Sequence, residues 1–203
     1  SVEQTPYGVM QIHGYPYDAT GSTFIVEMHD DVWKAAGFDA SESTVFEPGQ
    51  SDEESVKKVR ELFAHVLDGH DLIANNSRWL HFATIRNVCW RHENAVLLGD
   101  AAHTAHFSIG SGTKLAMEDA LALAAALHEH ADLVTALTAY EGERRPVVES
   151  TQRAAQASLE WFENLGQYTH QEPIRFAFNI LTRSRRVTYD NLRVRDPEFV
   201  DRC

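Results

Sequence analysis

Several features that mark other classes of protein are scarce or absent in this sequence. It has only two cysteines, Cys89 and Cys203, so it lacks the disulfide framework of small secreted domains, and we expect a reducing cytoplasm. It has no run of about 18 apolar residues, which excludes a membrane-spanning helix. It begins with Ser1 and no apolar signal segment follows, so we expect the chain to be part of a longer protein.

Basic residues are also scarce. The 203 residues include 18 Lys and Arg against 30 Asp and Glu, which gives a formal net charge of −12. A chain this acidic is repelled by a phosphate backbone, so general nucleic-acid binding is excluded. Apolar residues make up 43% and charged residues 24%, which is ordinary globular usage and argues against coiled-coil and disordered classes.

The first 50 residues have the pattern of strands. Two runs rich in β-formers, residues 9–15 and 23–28, flank a turn rich in Gly, Asp and Ser, and this arrangement predicts an antiparallel hairpin. Residues 51–54 resemble a helix N-terminus, with acidic residues in the first turn. Apolar residues then follow at helical spacing: Val56, Val59, Phe63, Val66 and Leu67.

The middle of the chain predicts two short strands followed by helices. Residues 80–89 and the apolar run 95–98 are both interpreted as strands, the second of them buried. From Thr113 the composition becomes rich in Ala and Leu, with a helical period. A second helical stretch is predicted from about Asp132 to Leu165, and Pro146 should kink or divide it.

The C-terminal region is locally basic. Six arginines and one acid, Asp190, lie between Arg175 and Arg195. This region is either a surface facing an acidic domain or solvent, or a phosphate-binding patch for a nucleotide-like substrate tail. The pattern divides the chain into three parts: residues 1–90, residues 91–165 and a helical, Arg-rich segment at 166–203.

Residues 96–119 carry the most chemistry. They are interpreted as a strand, a Gly99-Asp100 turn, a loop of small residues and a helix preceded by Gly110 and Gly112. A carboxylate at that turn can accept hydrogen bonds from sugar or polyol hydroxyls, and a helix N-terminus favours electron-rich oxygen. The two glycines alone lack the third glycine of a dinucleotide fingerprint and also fit an ordinary strand–loop–helix junction.

The full string in this region resembles the second flavin-binding motif of the single-component FAD monooxygenases of the para-hydroxybenzoate hydroxylase type. The residues that carry the resemblance are Gly99-Asp100-Ala101-Ala102-His103, Gly110-Ser111-Gly112 and Glu118-Asp119-Ala120. Two further segments, residues 11–17 and 182–192, resemble the branch that acts on aromatic acyl-CoA thioesters, which includes the salicylyl-CoA 5-hydroxylases and the 2-aminobenzoyl-CoA monooxygenases. The resemblance covers most of the chain. It implies that residues 1–90 are part of a substrate-binding domain, residues 91–165 the C-terminal part of an FAD-binding domain, and residues 166–203 a tail or inter-domain segment.

The resemblance implies roles for individual residues. Asp100, set between Gly99 and Ala101, would hydrogen-bond the ribityl chain of FAD. The edge of the flavin ring would be followed by Gly110, Ser111, Gly112, Thr113 and Lys114. Many family members have prolines at the positions of His106 and Phe107 and an Asn at that of Lys114. The substrate pocket would be lined by His13, Tyr15, His106 and Phe107, and His106 or His13 would be the base that deprotonates a ring substituent.

The resemblance also implies the reaction of the intact enzyme. NAD(P)H would reduce FAD, and O2 would then hydroxylate an aromatic ring, in this branch an aromatic acyl-CoA, by way of a C4a-hydroperoxyflavin. The sequence contains no strand followed by G-x-G-x-x-G, which in this family binds the ADP half of FAD. We therefore expect a partial FAD site with weak or no FAD binding. In the CoA branch an old-yellow-enzyme-type domain follows this one.

The expected fold class is an α+β fragment of an α/β, Rossmann-like FAD-binding monooxygenase, with an antiparallel substrate-domain sheet followed by C-terminal helices. Three alternatives stay open. A flavin enzyme of the same fold could catalyse epoxidation or halogenation, and the Ala-rich helices could form a non-catalytic interaction module. A metal site at Asp100, His103 and His106 or at His128 and His130 lacks the usual ligand spacing.

Overall fold

The computed structural model describes residues 1–203 and divides into two compact units. The first unit comprises residues 1–81 and 163–169, and the second comprises residues 82–162 and 170–203. No helix in either unit combines the length and the apolar character that crossing a membrane requires.

The first unit is built on a three-stranded antiparallel sheet. Its strands are β1 (Val2–Thr5), β2 (Gly8–Pro16) and β3 (Ser22–Met28), with β2 in the centre. Strands β2 and β3 pair in the register Met10↔Met28 to Pro16↔Ser22, so the predicted hairpin is confirmed. Alternate residues of a strand face opposite sides, which directs Met10 and Ile12 into the core and Gln11 and His13 to the other face.

Three short helices complete the core of the first unit. They are α1 (Asp30–Ala35), α2 (Glu53–Leu62) and α3 (Ala64–Leu67), so the helix predicted from the apolar spacing is confirmed. Asp52 caps α2, accepting from the backbone N–H of Ser55 at 3.1 Å. Aromatic side chains dominate the packing: Trp33, Phe38 and Phe63 are buried against Met10 and Ile12.

The second unit is mostly helical. A two-residue ladder joins β4 (Arg91–His92) to β5 (Ala95–Val96), and five helices follow: α4 (Gly112–Glu129), α5 (Leu133–Glu163), α6 (Pro173–Thr182), α7 (Tyr189–Arg195) and α8 (Pro197–Asp201). Its core contains Trp90, Leu115 and Tyr140. Buried residues recur on α4 as Leu115, Asp119, Ala122 and Ala126.

Two strand predictions in this unit are wrong. Residues 80–89 form no strand and contribute one isolated bridge, between Arg86 and His103. The run 95–98 is a strand only at Ala95–Val96, and Leu98 is 37% exposed. The physical reason is the same for both, because a strand needs a partner: residues 80–89 meet only His103, in a single bridge, and residues 95–98 meet only the two-residue β4.

Pro146, which was expected to kink or divide the second helical stretch, does not divide it. Helix α5 is continuous from Leu133 to Glu163 with Pro146 inside it. A proline removes one helical hydrogen bond and crowds the carbonyl four residues earlier. Burial on both sides of the proline, at Tyr140 and Arg144 before it and Val148 and Gln152 after it, holds the helix together across this defect.

Candidate functional site

The turn at Gly99 is shaped by its backbone and by its closeness to α4. Residues Gly99–Ala101 form a single 3-10 turn directly after the β4–β5 ladder. Gly99 has φ +58°, a left-handed conformation that side chains disfavour, and a Cβ built on it would lie 3.1 Å from Cβ of Ala116. Both facts require glycine here, because the turn lies directly on the helix.

A single buried carboxylate holds both ends of this turn. The backbone N–H of Gly99 donates to Oδ2 of Asp119 at 3.0 Å, and Nε2 of His103 lies 2.6 Å from the same oxygen. Asp119 is fully buried and His103 is 3% exposed. The indole of Trp90 stacks on His103 with 5.1 Å between ring centroids. The turn is therefore fixed to α4 by polar contacts that are shielded from water.

Helix α5 completes the network through Arg144. Its Nε donates to Oδ1 of Asp119 at 2.8 Å, and one of its terminal nitrogens donates to Glu118 at 3.0 Å. Burial alone lowers the pKa of Arg144, but the hydrogen bonds to Asp119 and Glu118 outweigh burial and raise it. Lys114 and Arg144 together lower the pKa of Glu118. A buried carboxylate with a cationic partner and two further donors is well compensated.

The side chain of Asp100, which follows Gly99 in the turn, takes no part in this buried network. Gly99 is buried and anchored, whereas the adjacent Asp100 and Ala101 are exposed. The backbone of the turn is thus held rigidly while the carboxylate of Asp100 stays accessible. This is an arrangement in which a fixed acceptor can meet hydroxyl donors of a ligand.

The loop before α4 has an open side. Phe107–Ile109 form a 3-10 turn that ends at Gly110 with φ +62°, and no atom lies within 4 Å of a Cβ built on Gly110 or Gly112. Ser111 precedes α4 without a side-chain hydrogen bond to the first turn of the helix, so the first N–H groups of α4 have no side-chain cap. Thr113 and Lys114 are exposed.

One end of this loop is fixed and carries an unusual hydroxyl. Arg183 donates to the backbone oxygen of Ser108 at 2.9 Å and to Oγ of Ser158 at 3.0 Å. Burial lowers the pKa of Arg183. The Oγ of Ser108 is buried and has no hydrogen-bond partner within the chain. Because a buried hydroxyl without a partner is costly, this atom marks a position that suits a further polar group.

The four residues expected to line a substrate pocket fall in different units. In the second unit, Phe107 packs on Phe82 with centroids 5.0 Å apart, and His106 stacks on Phe107 at 4.5 Å. In the first unit, His13 contacts Gln11 and Glu27 on the face of the sheet opposite the core. Tyr15, further along the same strand, is 55% exposed.

Sequence reasoning missed the roles of Asp119, His103 and Arg144. Asp119 was noted only as part of the motif Glu118-Asp119-Ala120, which indicated a ligand site. Nothing in that motif predicted that an acid would be buried within a helix rich in Ala and Leu. The available signal was its position: Asp119 lies four residues after Leu115, on the buried side of α4. Among the described residues, no group of three or more His, Cys, Asp or Glu side chains is arranged to hold a metal ion.

Comparison with known proteins gives a consistent result. Residues 28–155 match the model of the family described as FAD binding domain. The chain is 50% identical to salicyloyl-CoA 5-hydroxylase from Streptomyces sp over 97% of its length and 38% of that protein. It is 43% identical to 3-hydroxy-4-methyl-anthranilyl-[aryl-carrier protein] 5-monooxygenase from Streptosporangium sibiricum, over 81% of the chain and 40% of that protein. The chain thus spans about two fifths of the length of these relatives.

Among solved structures, the chain resembles pqsL, a probable FAD-dependent monooxygenase from Pseudomonas aeruginosa. The TM-score is 0.52 at 23% identity, over 76% of this chain and 42% of the other. At this identity the likeness bears on the fold alone. It agrees with the expected fold class, a fragment of an FAD-binding monooxygenase with an antiparallel sheet and C-terminal helices.

Proposed function

Because the chain belongs to the FAD binding domain family, we propose that it forms part of a flavin-dependent monooxygenase that hydroxylates an aromatic acyl thioester with NAD(P)H and O2. The observation that carries the proposal is the Gly99–Ala101 turn, anchored from below by Asp119 while Asp100 remains accessible. The two relatives described above, which by name act on a salicyloyl-CoA and on an aryl-carrier protein, support an aromatic thioester as the substrate.

The residues present fit a flavin. In this proposal the exposed carboxylate of Asp100 accepts hydrogen bonds from the ribityl hydroxyls, and the small residues Gly99 and Ala101 allow the backbone to approach closely. Gly110, Ser111, Gly112 and Thr113 offer the uncapped N-terminus of α4 to the electron-rich edge of the ring, with Lys114 one residue further. The unpartnered Oγ of Ser108 in the same loop adds a donor that the chain itself does not use.

A bound flavin would supply the redox chemistry that links NAD(P)H oxidation to the insertion of one oxygen atom of O2 into the aromatic ring. The chain supplies position and electrostatics. The N-terminus of α4 contributes a partial positive charge that stabilises negative charge on the ring edge. The aromatic side chains of Phe82, Phe107 and His106 pack against one another, and Phe82 is 61% exposed, so in this proposal they offer a surface on which a substrate ring can stack.

The base that removes a proton from the ring substituent is, in this proposal, His106 or His13. His106 lies in the loop before α4, and its Nδ1 accepts from the backbone N–H of Ser108 at 3.3 Å. His13 is oriented by Gln11 and Glu27. Replacing each by Gln separates the two: the variant that lacks the base slows hydroxylation at neutral pH, while the other variant retains its rate.

The cofactor requirement extends beyond these 203 residues. Because the sequence contains no Gly-rich dinucleotide motif, we propose that the ADP half of FAD is bound by a segment outside them. The test is a chimera in which this chain replaces the matching 38% of the Streptomyces salicyloyl-CoA 5-hydroxylase. We expect the chimera to bind FAD and to consume O2 with NAD(P)H when given salicyloyl-CoA.

Free salicylate is the matched substrate control for the chimera. Hydroxylation of the thioester but not of the free acid supports an acyl-thioester enzyme. Equal use of both would contradict the thioester assignment while leaving the monooxygenase assignment intact. A chimera that folds and binds no flavin would contradict the proposed function as a whole.

A further inference from the structure

A cavity in the second unit adjoins the flavin contacts proposed above and shares Ser111 with them, while the rest of its lining takes no part in those contacts. It has a volume of about 620 Å³ and lies in the second unit, between the loop before α4, the middle of α5 and the segment after α6. A volume of this size is within the range of small-molecule sites. Ile109 and Ser111 of the loop form one of its walls, so the cavity adjoins the residues that we assign to the flavin edge.

The lining combines hydroxyl groups with one cation. Four hydroxyl side chains, of Ser111, Ser150, Thr151 and Ser184, share the cavity with the guanidinium of Arg186, and no acidic residue lines it. A terminal nitrogen of Arg186 donates to Oγ of Ser150 at 2.9 Å, which fixes the guanidinium against α5. The ion pairs of this chain include no carboxylate partner for Arg186, so its charge is available to a ligand.

The surrounding segment has the same sign of charge. Between Arg175 and Arg195 there are six arginines and one acid, in a chain whose net charge is −12. A local excess of arginine in an acidic protein favours an anionic ligand at this place. Guanidinium groups bind phosphate with paired hydrogen bonds, and serine and threonine hydroxyls complete such sites or bind amides.

The two named relatives indicate which anion this is. One is named for a CoA thioester and the other for a thioester on an aryl-carrier protein. These two acyl carriers share a single chemical group, the 4′-phosphopantetheine arm: a phosphate, two amides and an aliphatic chain that ends in the thiol. A cavity with a guanidinium, several hydroxyls and apolar walls such as Ile109 and Val147 matches that sequence of groups.

We propose that this cavity binds the phosphopantetheine arm of the aryl thioester, with Arg186 on the phosphate and the hydroxyl side chains on the amides. The inference rests on the proposed function and deepens it. The thioester end of the arm then lies towards Ile109 and Ser111, next to the flavin edge, and the phosphate lies towards Arg186.

The first test is binding of 4′-phosphopantetheine, with pantetheine as the ligand that lacks the phosphate, measured by calorimetry on the 203-residue chain. We expect phosphopantetheine to bind more tightly than pantetheine. Arg186→Gln should weaken the binding of phosphopantetheine about 10-fold or more, because a charge-assisted hydrogen bond to phosphate is lost, and should leave the affinity for pantetheine unchanged. Arg193→Gln, an exposed arginine of the same segment that does not line the cavity, is the matched control and should change neither.

The second test uses the chimera and separates the two proposals. Arg186→Gln should raise the KM for salicyloyl-CoA about 10-fold while kcat and the FAD content stay unchanged. If the chimera with Arg186 and the chimera with Arg186→Gln hydroxylate salicyloyl-CoA with the same KM, the proposed phosphopantetheine site is contradicted. The proposed function would still stand. Tight binding of adenosine 3′,5′-bisphosphate that depends on Arg186 would also contradict the phosphopantetheine site, since the cavity would then bind the nucleotide half of CoA. Salicyloyl-CoA and a salicyloyl-loaded carrier protein, compared as substrates, identify which source supplies the arm.

Discussion

Nε2 of His103 lies 2.6 Å from Oδ2 of Asp119, and both side chains are buried within the second unit. Sixteen residues separate them, one at the end of the Gly99 turn and the other in the middle of α4. This contact ties the conformation of the turn to the helix. It means that the exposed residue Asp100 belongs to a turn whose backbone is held by two buried side chains.

The first prediction concerns Asp119. Asp119→Asn leaves the guanidinium of Arg144 buried beside a neutral group and weakens the contacts to Gly99 and His103. We expect a loss of about 2–3 kcal/mol in the free energy of unfolding, because buried hydrogen bonds to a charged group are weakened and Arg144 keeps only the partly exposed Glu118 as an anionic partner. Urea unfolding followed by circular dichroism measures it.

Glu118→Gln is the control for that prediction. Glu118 also accepts from Arg144, but its side chain is one third exposed, and Arg144 keeps Asp119 as a partner. We expect a loss of about 1 kcal/mol or less. Similar losses in both variants would contradict the central place of Asp119 in the network.

The second prediction concerns Asp100, which is exposed. Asp100→Asn should change the free energy of unfolding by about 0.5 kcal/mol or less, as expected for a surface substitution. The same substitution should lower the affinity of the chimera for FAD about 10-fold or more, because charge-assisted hydrogen bonds to the ribityl hydroxyls are lost. Fluorescence titration measures the FAD affinity. Unchanged affinity together with unchanged stability would remove Asp100 from the site.

The third prediction compares two glycines. Gly99→Ala places a side chain in a left-handed conformation and brings its Cβ to 3.1 Å from Ala116, so we expect a loss of about 1–2 kcal/mol. Gly112→Ala meets no atom within 4 Å and has no such backbone strain, so stability should be unchanged or slightly higher. Thermal unfolding distinguishes them, and an equal loss in both would count against the strain at Gly99.

The fourth prediction is a pH dependence in the first unit. Burial alone raises the pKa of Asp52, but hydrogen bonds from Ser41 and Ser55 outweigh burial and lower it below its ordinary value of 3.8. A folded-state pKa below the unfolded value stabilises the protein at pH values above 3.8, and this stabilisation is lost as the pH falls through the lower, folded-state pKa. The difference in unfolding free energy between the native chain and Asp52→Asn should therefore shrink from pH 6 to pH 3. A difference that stays constant over that range would contradict the assignment.

The features predicted correctly from the sequence are those set by neighbouring residues. The β2–β3 hairpin follows from alternation on either side of a polar turn, and α2 follows from an acidic first turn and helical spacing. Residues 80–89 contain strand-forming types, yet several are exposed, including Leu80 at 59% and Val88 at 89%. Composition cannot tell whether a partner strand is available, so the strand prediction failed.

The same distinction, between residues that are adjacent in sequence and residues that are brought together by packing, applies to the candidate site. The Gly99-Asp100 turn and the glycines before α4 form a continuous string and could be identified from it. The network below them joins His103, Asp119 and Arg144, residues separated by 16 and 25 positions whose meeting depends on how α4 and α5 pack. No local sequence pattern predicts that these residues meet. The Asp119–Arg144 ion pair between α4 and α5 was therefore not predicted, and an apolar contact was expected there.

Helix α5 also holds a stretch of chain that has almost no secondary structure of its own. Arg145 donates to the backbone oxygens of Asn87 and Val88, and Gln152 donates to those of Ile85 and Thr104. Every amino acid carries a main-chain oxygen, so this attachment does not depend on which side chains stand at 85, 87 or 88. Substitutions at positions 85 and 88 therefore leave these attachments intact, provided that the two donors on the helix are kept, whereas Asn87 also uses its own side chain to bind the backbone of Ala101 and Ala102.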